Sequence, residues 1–266
     1  MDKKQLLQIG NIVGYILTLI LNFLAVGLPL NGLTTQQLSD DLPNLFVPAG
    51  ITFSIWSVIY ILLGIFAFYQ AKDLFKSEKE DLPFLDKIGY FFILSSIANA
   101  LWIVFWHYQQ VLISLIIMFI LFASLLAIYL RLGIGKSEVS TQEKRFIHLP
   151  ISVYFGWITT ATVANITALL VSPGIDVESF GLVAEVWTVI VLIVVALLYV
   201  LTVLTRKDVG YGLVGVWAIL GIFLKQLVYP PPAGYIQSPI VGYTALIILF
   251  VIGASIGKVI FDYYKK

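Results

Sequence analysis

Three apolar stretches of this 266-residue chain carry aromatic and polar side chains at helical spacing. The three sets are Phe53, Trp56 and Tyr60; Ser95, Asn99, Trp102 and Trp106; and Tyr154, Trp157, Ala161 and Asn165. Intervals of three and four residues place each set on one face of a helix. Aromatic rings stack and amides form hydrogen bonds, so these residue types predict ligand binding or helix packing rather than acid–base catalysis.

The remaining sequence offers little for other chemistry. It contains no phosphate-binding loop, nucleophile elbow or metal-binding pair, and His107 and His148 fall in loops at opposite predicted membrane faces. The absence of cysteine excludes disulfides and thiolate metal sites, and a net charge of +1 gives no reason to expect a nucleic-acid partner. We therefore predict no catalytic residues and no metal, and favour a binding protein over an enzyme.

The composition is that of an integral membrane protein. Hydrophobic residues make up 60% of the chain and charged residues only 12%, with a mean hydropathy of +0.98. Soluble domains are about 25% charged. Eight apolar segments can be marked, and each is long enough for a membrane-spanning helix: 8–30, 48–70, 87–106, 110–132, 146–170, 181–204, 209–229 and 240–261. The predicted fold is an all-α polytopic bundle of about eight transmembrane helices.

Basic residues alternate between the connections of these segments. They occur before the first segment, in 71–87, in 131–145, at Arg206 and Lys207, and at the chain end, whereas the four intervening loops contain none. Because lysine and arginine accumulate on the cytoplasmic side, this pattern predicts cytoplasmic N and C termini and an even number of spans. It also indicates a multi-pass integral membrane protein, and we expect the membrane to be a bacterial cell membrane.

The three polar-tipped stripes can meet in the outer half of the membrane. At about 1.5 Å per residue, Trp56 lies about 12 Å, Asn99 about 10 Å and Asn165 about 8 Å below the outer ends of their helices. Asparagine is costly in hydrocarbon without a partner, so both amides should face inward. Spacing alone leaves two alternatives open, an apolar ligand pocket and ordinary helix packing. Trp106 is interpreted as part of an interfacial aromatic belt.

Two charges fall inside spans. Lys225 lies in the seventh segment and Glu185 at a similar depth in the sixth. Since a charge in hydrocarbon usually faces a partner, we predict an intramembrane ion pair between Glu185 and Lys225. The alternative is that each side chain extends separately to the nearby interface.

Two small-residue motifs allow close helix approach, Gly10-x-x-x-Gly14 and Gly253-x-x-x-Gly257. We interpret both as packing within the chain, with a homodimer contact as the alternative.

The first five segments resemble the TspO/MBR family, the tryptophan-rich sensory proteins related to the mitochondrial translocator protein. The resemblance rests on PAGITFSIWSVIYILLG at 48–64, NALW at 99–102, and Tyr154-x-x-Trp157 followed by Asn165, in that order. It covers about residues 1–170. The first loop departs from the family pattern, since TTQQLSDDLPNLFVPAG contains no tryptophan.

The resemblance implies a five-helix bundle with a pocket for porphyrins and other flat hydrophobic ligands. Residues that would line or brace that pocket are Trp56, Asn99, Trp157 and Asn165, with Tyr60, Trp102, Phe53 and Tyr154 beside them. It also implies two parts, a five-helix bundle at 1–170 and three additional helices at 181–266 packed on it. The expected function is a membrane binding protein or sensor for a tetrapyrrole, with a porphyrin or haem-like molecule as ligand rather than resident cofactor. A small-molecule transporter and a porphyrin-degrading enzyme are the alternatives.

Overall fold

The computed structural model describes residues 2–28, 30–42, 44–172, 183–231, 235 and 237–265; most of these residues are helical and none lies in a strand. The helices are α1 Lys3–Gly27, α2 Thr35–Asp40, α3 Ile55–Gln70, α4 Pro83–Ile88, α5 Phe91–His107, α6 Val111–Leu132, α7 Thr141–Leu170, α8 Ala184–Arg206, α9 Val209–Val228 and α10 Pro239–Tyr264. A 3₁₀ turn, Gly50–Ser54, leads into α3.

Seven of the described helical segments are long and apolar enough to cross a membrane, and the 17-residue α5 is a shorter apolar helix. The predicted all-α polytopic bundle is confirmed. The third segment starts later than the predicted residue 87. Gly89 has a φ of 55°, a left-handed conformation that suits glycine and ends the short α4, so α5 begins only at Phe91.

The basic loops lie together at one end of the bundle, here called the basic end. Lys3 pairs with Asp86 at 2.7 Å, Lys4 pairs with the buried Asp73, and the Arg206 guanidinium donates to the carbonyl of Ile134 at 3.1 Å. The chain therefore begins at the same end as its basic connections. That this end faces the cytoplasm stays a prediction from the charge pattern.

The last three helices pack on the first five mainly through α9, and Tyr199 of α8 adds a contact with α7. Helix α9 contacts α7, the 3₁₀ turn before α3, α8 and α10, and α10 also packs on α8. Small residues make this approach close, because a Cβ added to Gly221 would lie 1.9 Å from Oγ1 of Thr52. The predicted boundary between the two parts, 171–180, falls largely on residues 173–182, which lie outside the described residues.

Directional hydrogen bonds line this contact, which we call the seam. Tyr199 Oη donates to the Gly156 carbonyl at 2.8 Å, and Tyr211 Oη donates to Thr159 Oγ1 at 3.0 Å. Further along, the indole of Trp217 donates to the Thr52 carbonyl at 2.9 Å. The seam is thus joined by polar side chains along the depth of the bundle.

The two glycine motifs differ in their surroundings. A Cβ on Gly10 would meet Ile93 of α5 at 2.4 Å, and one on Gly14 would meet Ser96 at 2.9 Å, so this motif packs within the chain as predicted. Gly253 and Gly257 would meet no described atom within 4 Å. The packing interpretation is wrong for this second motif, because its face of α10 points away from the bundle.

Candidate functional site

Trp56 lies at the centre of an aromatic cluster. Its ring centroid is 5.7 Å from that of Tyr60 and 5.9 Å from that of Trp102, and both pairs are stacked. Tyr154 and Trp157 meet it edge-on at 6.3 and 6.1 Å. These separations are in the range where ring pairs attract each other beyond simple area burial. Three helices, α3, α5 and α7, thus bring the three stripes together.

Hydrogen bonds orient the polar members of the cluster. Asn99 Nδ2 donates to Tyr154 Oη at 3.0 Å and its Oδ1 accepts from Asn22 of α1 at 2.7 Å. Asn165 Oδ1 accepts from the Trp102 indole at 3.2 Å. Both asparagines are buried, as the cost of an unpaired amide in hydrocarbon requires. Asn22 is a member of this network that the sequence patterns missed.

A cavity of about 430 Å³ opens beside the cluster. Its wall includes three of the eight predicted ligand-binding residues, Phe53, Trp56 and Tyr60. Asn22, Gln36, Ser54 and Ser57 add polar groups. The cavity lies between α1, α2 and α3, and α2 covers it at the end opposite the basic end.

The other five predicted residues lie behind this wall. Asn99, Trp102, Tyr154, Trp157 and Asn165 are each no more than 4% exposed and pack against one another. They brace the cavity wall, because the rings of Trp102, Tyr154 and Trp157 contact the ring of Trp56. The Trp157 indole N–H is buried and has no hydrogen-bond partner among the described residues.

Trp106 is not a membrane-belt residue. It is 6% exposed and stacks on Trp102 at 6.3 Å, which continues the row Tyr60–Trp56–Trp102. Its position near a helix end suggested the interface, but the short turn after α5 and the cover of α2 bury the ring.

Helix α2 forms the roof of the cavity. Thr34 and Gln37 form a capping box at its start, and Thr35 Oγ1 lies 3.1 Å from the ring of the buried His107. The motif Thr-x-x-Gln in the first loop is a recognisable helix-start signal. Sequence patterns could therefore have predicted this helix.

The predicted ion pair between Glu185 and Lys225 is not formed. Lys225 Nζ instead pairs with Asp40 of α2 at 2.6 Å, and the Glu185 carboxylate accepts from Ser238 Oγ at 2.5 Å. The depths of the two charges were similar, but depth does not fix lateral position, and α2 brings a carboxylate closer to Lys225. The lysine thus ties the cavity roof to α9.

Comparison with known proteins gives one match. The sequence model of a family described as TSPO-like protein matches residues 8–257. This range extends beyond the first five segments and includes α8, α9 and most of α10. No curated protein and no solved structure gives a significant match to the chain.

Proposed function

The chain belongs to the TSPO-like family, and from this premise we propose that it binds a flat, apolar small molecule of the tetrapyrrole class in the cavity beneath α2. The protein is an integral multi-pass membrane protein of the TspO binding type. The ligand would lie against the partly exposed ring of Trp56, with Phe53 and Tyr60 beside it.

The observation that carries this proposal is the position of Trp56 at both the cluster and the cavity. Its ring is held by stacking on Tyr60 and Trp102 while it lines the cavity wall. A preformed aromatic surface binds a flat ligand without first paying for side-chain ordering. The volume also suits a ligand site, since small-molecule pockets span about 300–1,000 Å³.

Polar groups at the rim would meet the edge of such a ligand. Gln36 of α2 lies against Gly50, where an added Cβ would come within 2.1 Å of its amide nitrogen. With Ser54 and Ser57 on the opposite wall, amide and hydroxyl groups face the same space. They supply hydrogen bonds for ring substituents, while the aromatic wall covers the apolar face.

The test is a titration of the purified protein with protoporphyrin, followed by porphyrin absorbance and tryptophan fluorescence. Replacing Trp56 with leucine should weaken binding roughly tenfold, the loss expected when about 1.4 kcal/mol of aromatic contact is removed. Trp187→Phe in α8 is the matched control and should leave binding unchanged.

A second variant separates binding from folding. Ser57→Trp fills the cavity from an exposed wall position, so it should abolish binding while the thermal midpoint stays near that of the wild type. Undiminished porphyrin binding in Ser57→Trp would exclude this cavity as the site.

The two alternatives are tested with the same preparation. An intramembrane pair between Glu185 and Lys225 would have favoured transport, but Lys225 has Asp40 as its partner instead. Porphyrin movement across the membrane of proteoliposomes would nevertheless support the transporter alternative. Degradation of the ligand would appear as a change in the spectrum of bound porphyrin on illumination, and a spectrum stable under light would argue for binding alone.

A further inference from the structure

A second cavity, of about 330 Å³, lies at the basic end and does not contact the aromatic cluster. It is formed by the linker between α6 and α7, the first turns of α7, and the turn between α8 and α9. Its wall contains the charged or polar side chains of Ser137, Lys144, His148, Ser152, Lys207 and Asp208. We call it the basic-end cavity.

Two cations flank the basic-end cavity. Lys144 and Lys207 are exposed, and within the described part of the chain neither ammonium forms an ion pair or a side-chain hydrogen bond. Lys207 ends α8 with a left-handed backbone, at a φ of 56°. Both cations are therefore available to an anionic group.

A buried carboxylate faces the same cavity. Asp208 is 7% exposed and accepts hydrogen bonds from Tyr129 Oη at 2.8 Å, Ser152 Oγ at 2.6 Å and the backbone N–H of Tyr211 at 3.1 Å. All three donors are neutral, and no cation of the described chain pairs with it. The positive end of the α9 dipole offsets its charge only in part. Buried carboxylates are usually paired with a cation.

His148 adds an unused polar atom. The residue is 6% exposed, and its Nε2 has no hydrogen-bond partner among the described residues. The nearest acid is Glu143, whose Oε1 lies 3.7 Å away, beyond hydrogen-bond distance. Since buried polar atoms are normally satisfied, this nitrogen is an unpaired polar atom in the wall of the cavity.

We propose that the basic-end cavity binds a phosphate ester that carries a primary ammonium group, as in the headgroup of an ethanolamine phospholipid. The phosphate would lie between Lys144 and Lys207, and the ammonium would reach Asp208. A simple anion would be opposed by Asp208, and a simple cation by the two lysines. A group that carries both charges can pair with the two lysines and with Asp208 at the same time.

The position of the cavity agrees with such a ligand. The turn between α8 and α9 joins two helices long enough to span a membrane, so it lies at the depth of lipid headgroups. Leu149 is exposed on the cavity wall and would contact the first carbons of an attached lipid.

The experiment is native mass spectrometry of the full-length protein from nanodiscs that contain phosphatidylethanolamine, phosphatidylcholine and phosphatidylglycerol in equal amounts. Choline has no N–H to donate to Asp208, and phosphatidylglycerol has no ammonium. We expect phosphatidylethanolamine to be retained roughly tenfold over both, the scale of one hydrogen bond to a charged group.

Three variants test which residues cause the preference for phosphatidylethanolamine. Asp208→Asn should remove the preference for ethanolamine over choline, and asparagine remains a good N-cap for α9. The double variant Lys144→Gln/Lys207→Gln changes two surface residues. It should lower the retention of phosphatidylethanolamine and phosphatidylcholine about equally. Lys136→Gln, an exposed lysine of the same linker that does not line the cavity, is the control and should change nothing.

A second arm distinguishes the source of the ligand. If soluble phosphoethanolamine raises the thermal midpoint in phosphatidylcholine nanodiscs, the free compound binds; if only the lipid is retained, the site is a lipid site. Equal retention of all three lipids together with no effect of phosphoethanolamine would overturn the proposal, as would a preference that survives Asp208→Asn. Protoporphyrin binding should be the same in every variant, which separates this site from the cavity beneath α2.

Discussion

The aromatic cluster and the seam hold helices together in different ways. In the cluster, ring faces and edges meet at centroid separations of 5.7–6.3 Å around Trp56. In the seam, hydroxyls, an indole N–H and a carboxylate form hydrogen bonds between helices. Lipid gives no hydrophobic driving force for helix association, so packing and polar contacts must supply it. The cluster exposes part of Trp56 to the cavity beneath α2, and the seam fixes the position of α9.

The largest expected effect is at the basic end of the seam. Asp208→Ala leaves the hydroxyls of Tyr129 and Ser152 without their acceptor and removes the N-cap of α9, at a cost of about 3 kcal/mol. This loss should lower the thermal midpoint in detergent by roughly 6–12 °C. The matched control is Asp262→Ala, which breaks an exposed pair with Lys258 and should cost less than about 1 kcal/mol. Equal losses in the two variants would show that the seam carries no special stability.

The next effect tests close approach in the seam. Gly221→Ala places a methyl group 1.9 Å from Thr52 Oγ1 and 2.9 Å from Cβ of Pro48, so α9 must move away from the start of α3. Overpacking of this kind costs about 1–3 kcal/mol. Gly253→Ala on the outward face of α10 meets no described atom within 4 Å and should be neutral or slightly stabilising. Thermal unfolding of both variants measures the difference; a Gly221→Ala protein as stable as Gly253→Ala would contradict the contact.

A smaller effect is expected in the cluster, where the substitution removes a single hydrogen bond. Trp102→Phe keeps a stacked ring but removes the donor to Asn165 Oδ1, and should cost about 1 kcal/mol more than Trp106→Phe. Trp106 provides the matched comparison because its indole N–H has no partner among the described residues. Denaturation of the two variants under the same conditions measures this difference. A larger loss of unfolding free energy in Trp106→Phe would contradict the hydrogen bond from Trp102 to Asn165.

The smallest effect concerns the tie between the cavity roof and α9. A double-mutant cycle with Asp40→Asn and Lys225→Gln should give a coupling free energy of about 0.5–1 kcal/mol, since the Asp40 side chain is 33% exposed and partly screened by solvent. The same cycle with Glu185→Gln in place of Asp40→Asn should give no coupling. Coupling between Glu185 and Lys225 instead would support the ion pair that was predicted from their similar depth.

Hydropathy was sufficient to predict the eight long helices but not the short α2 and α4, and spacing was sufficient to bring Trp56, Asn99 and Trp157 together. These features depend on local pattern and on the cost of burying an amide in lipid. The partner of Lys225 could not be predicted, because Asp40 lies in a loop helix of six residues whose position is tertiary. Likewise, Asp208 belonged to what looked like a short charged turn, and nothing local indicates that Tyr129 donates to it.

The hydrogen bond from Trp217 to Thr52 joins residues 165 positions apart in the chain. During synthesis, α3 enters the membrane long before the ribosome has made α9. Until α9 arrives, the Thr52 carbonyl lacks this bond, and so does the backbone N–H of Ala49, whose acceptor is the carbonyl of Gly221 at 2.9 Å. The turn beside Phe53 and Trp56 is therefore completed late, and a nascent chain that stalls before residue 217 would present an unfinished cavity to the quality-control machinery of the membrane.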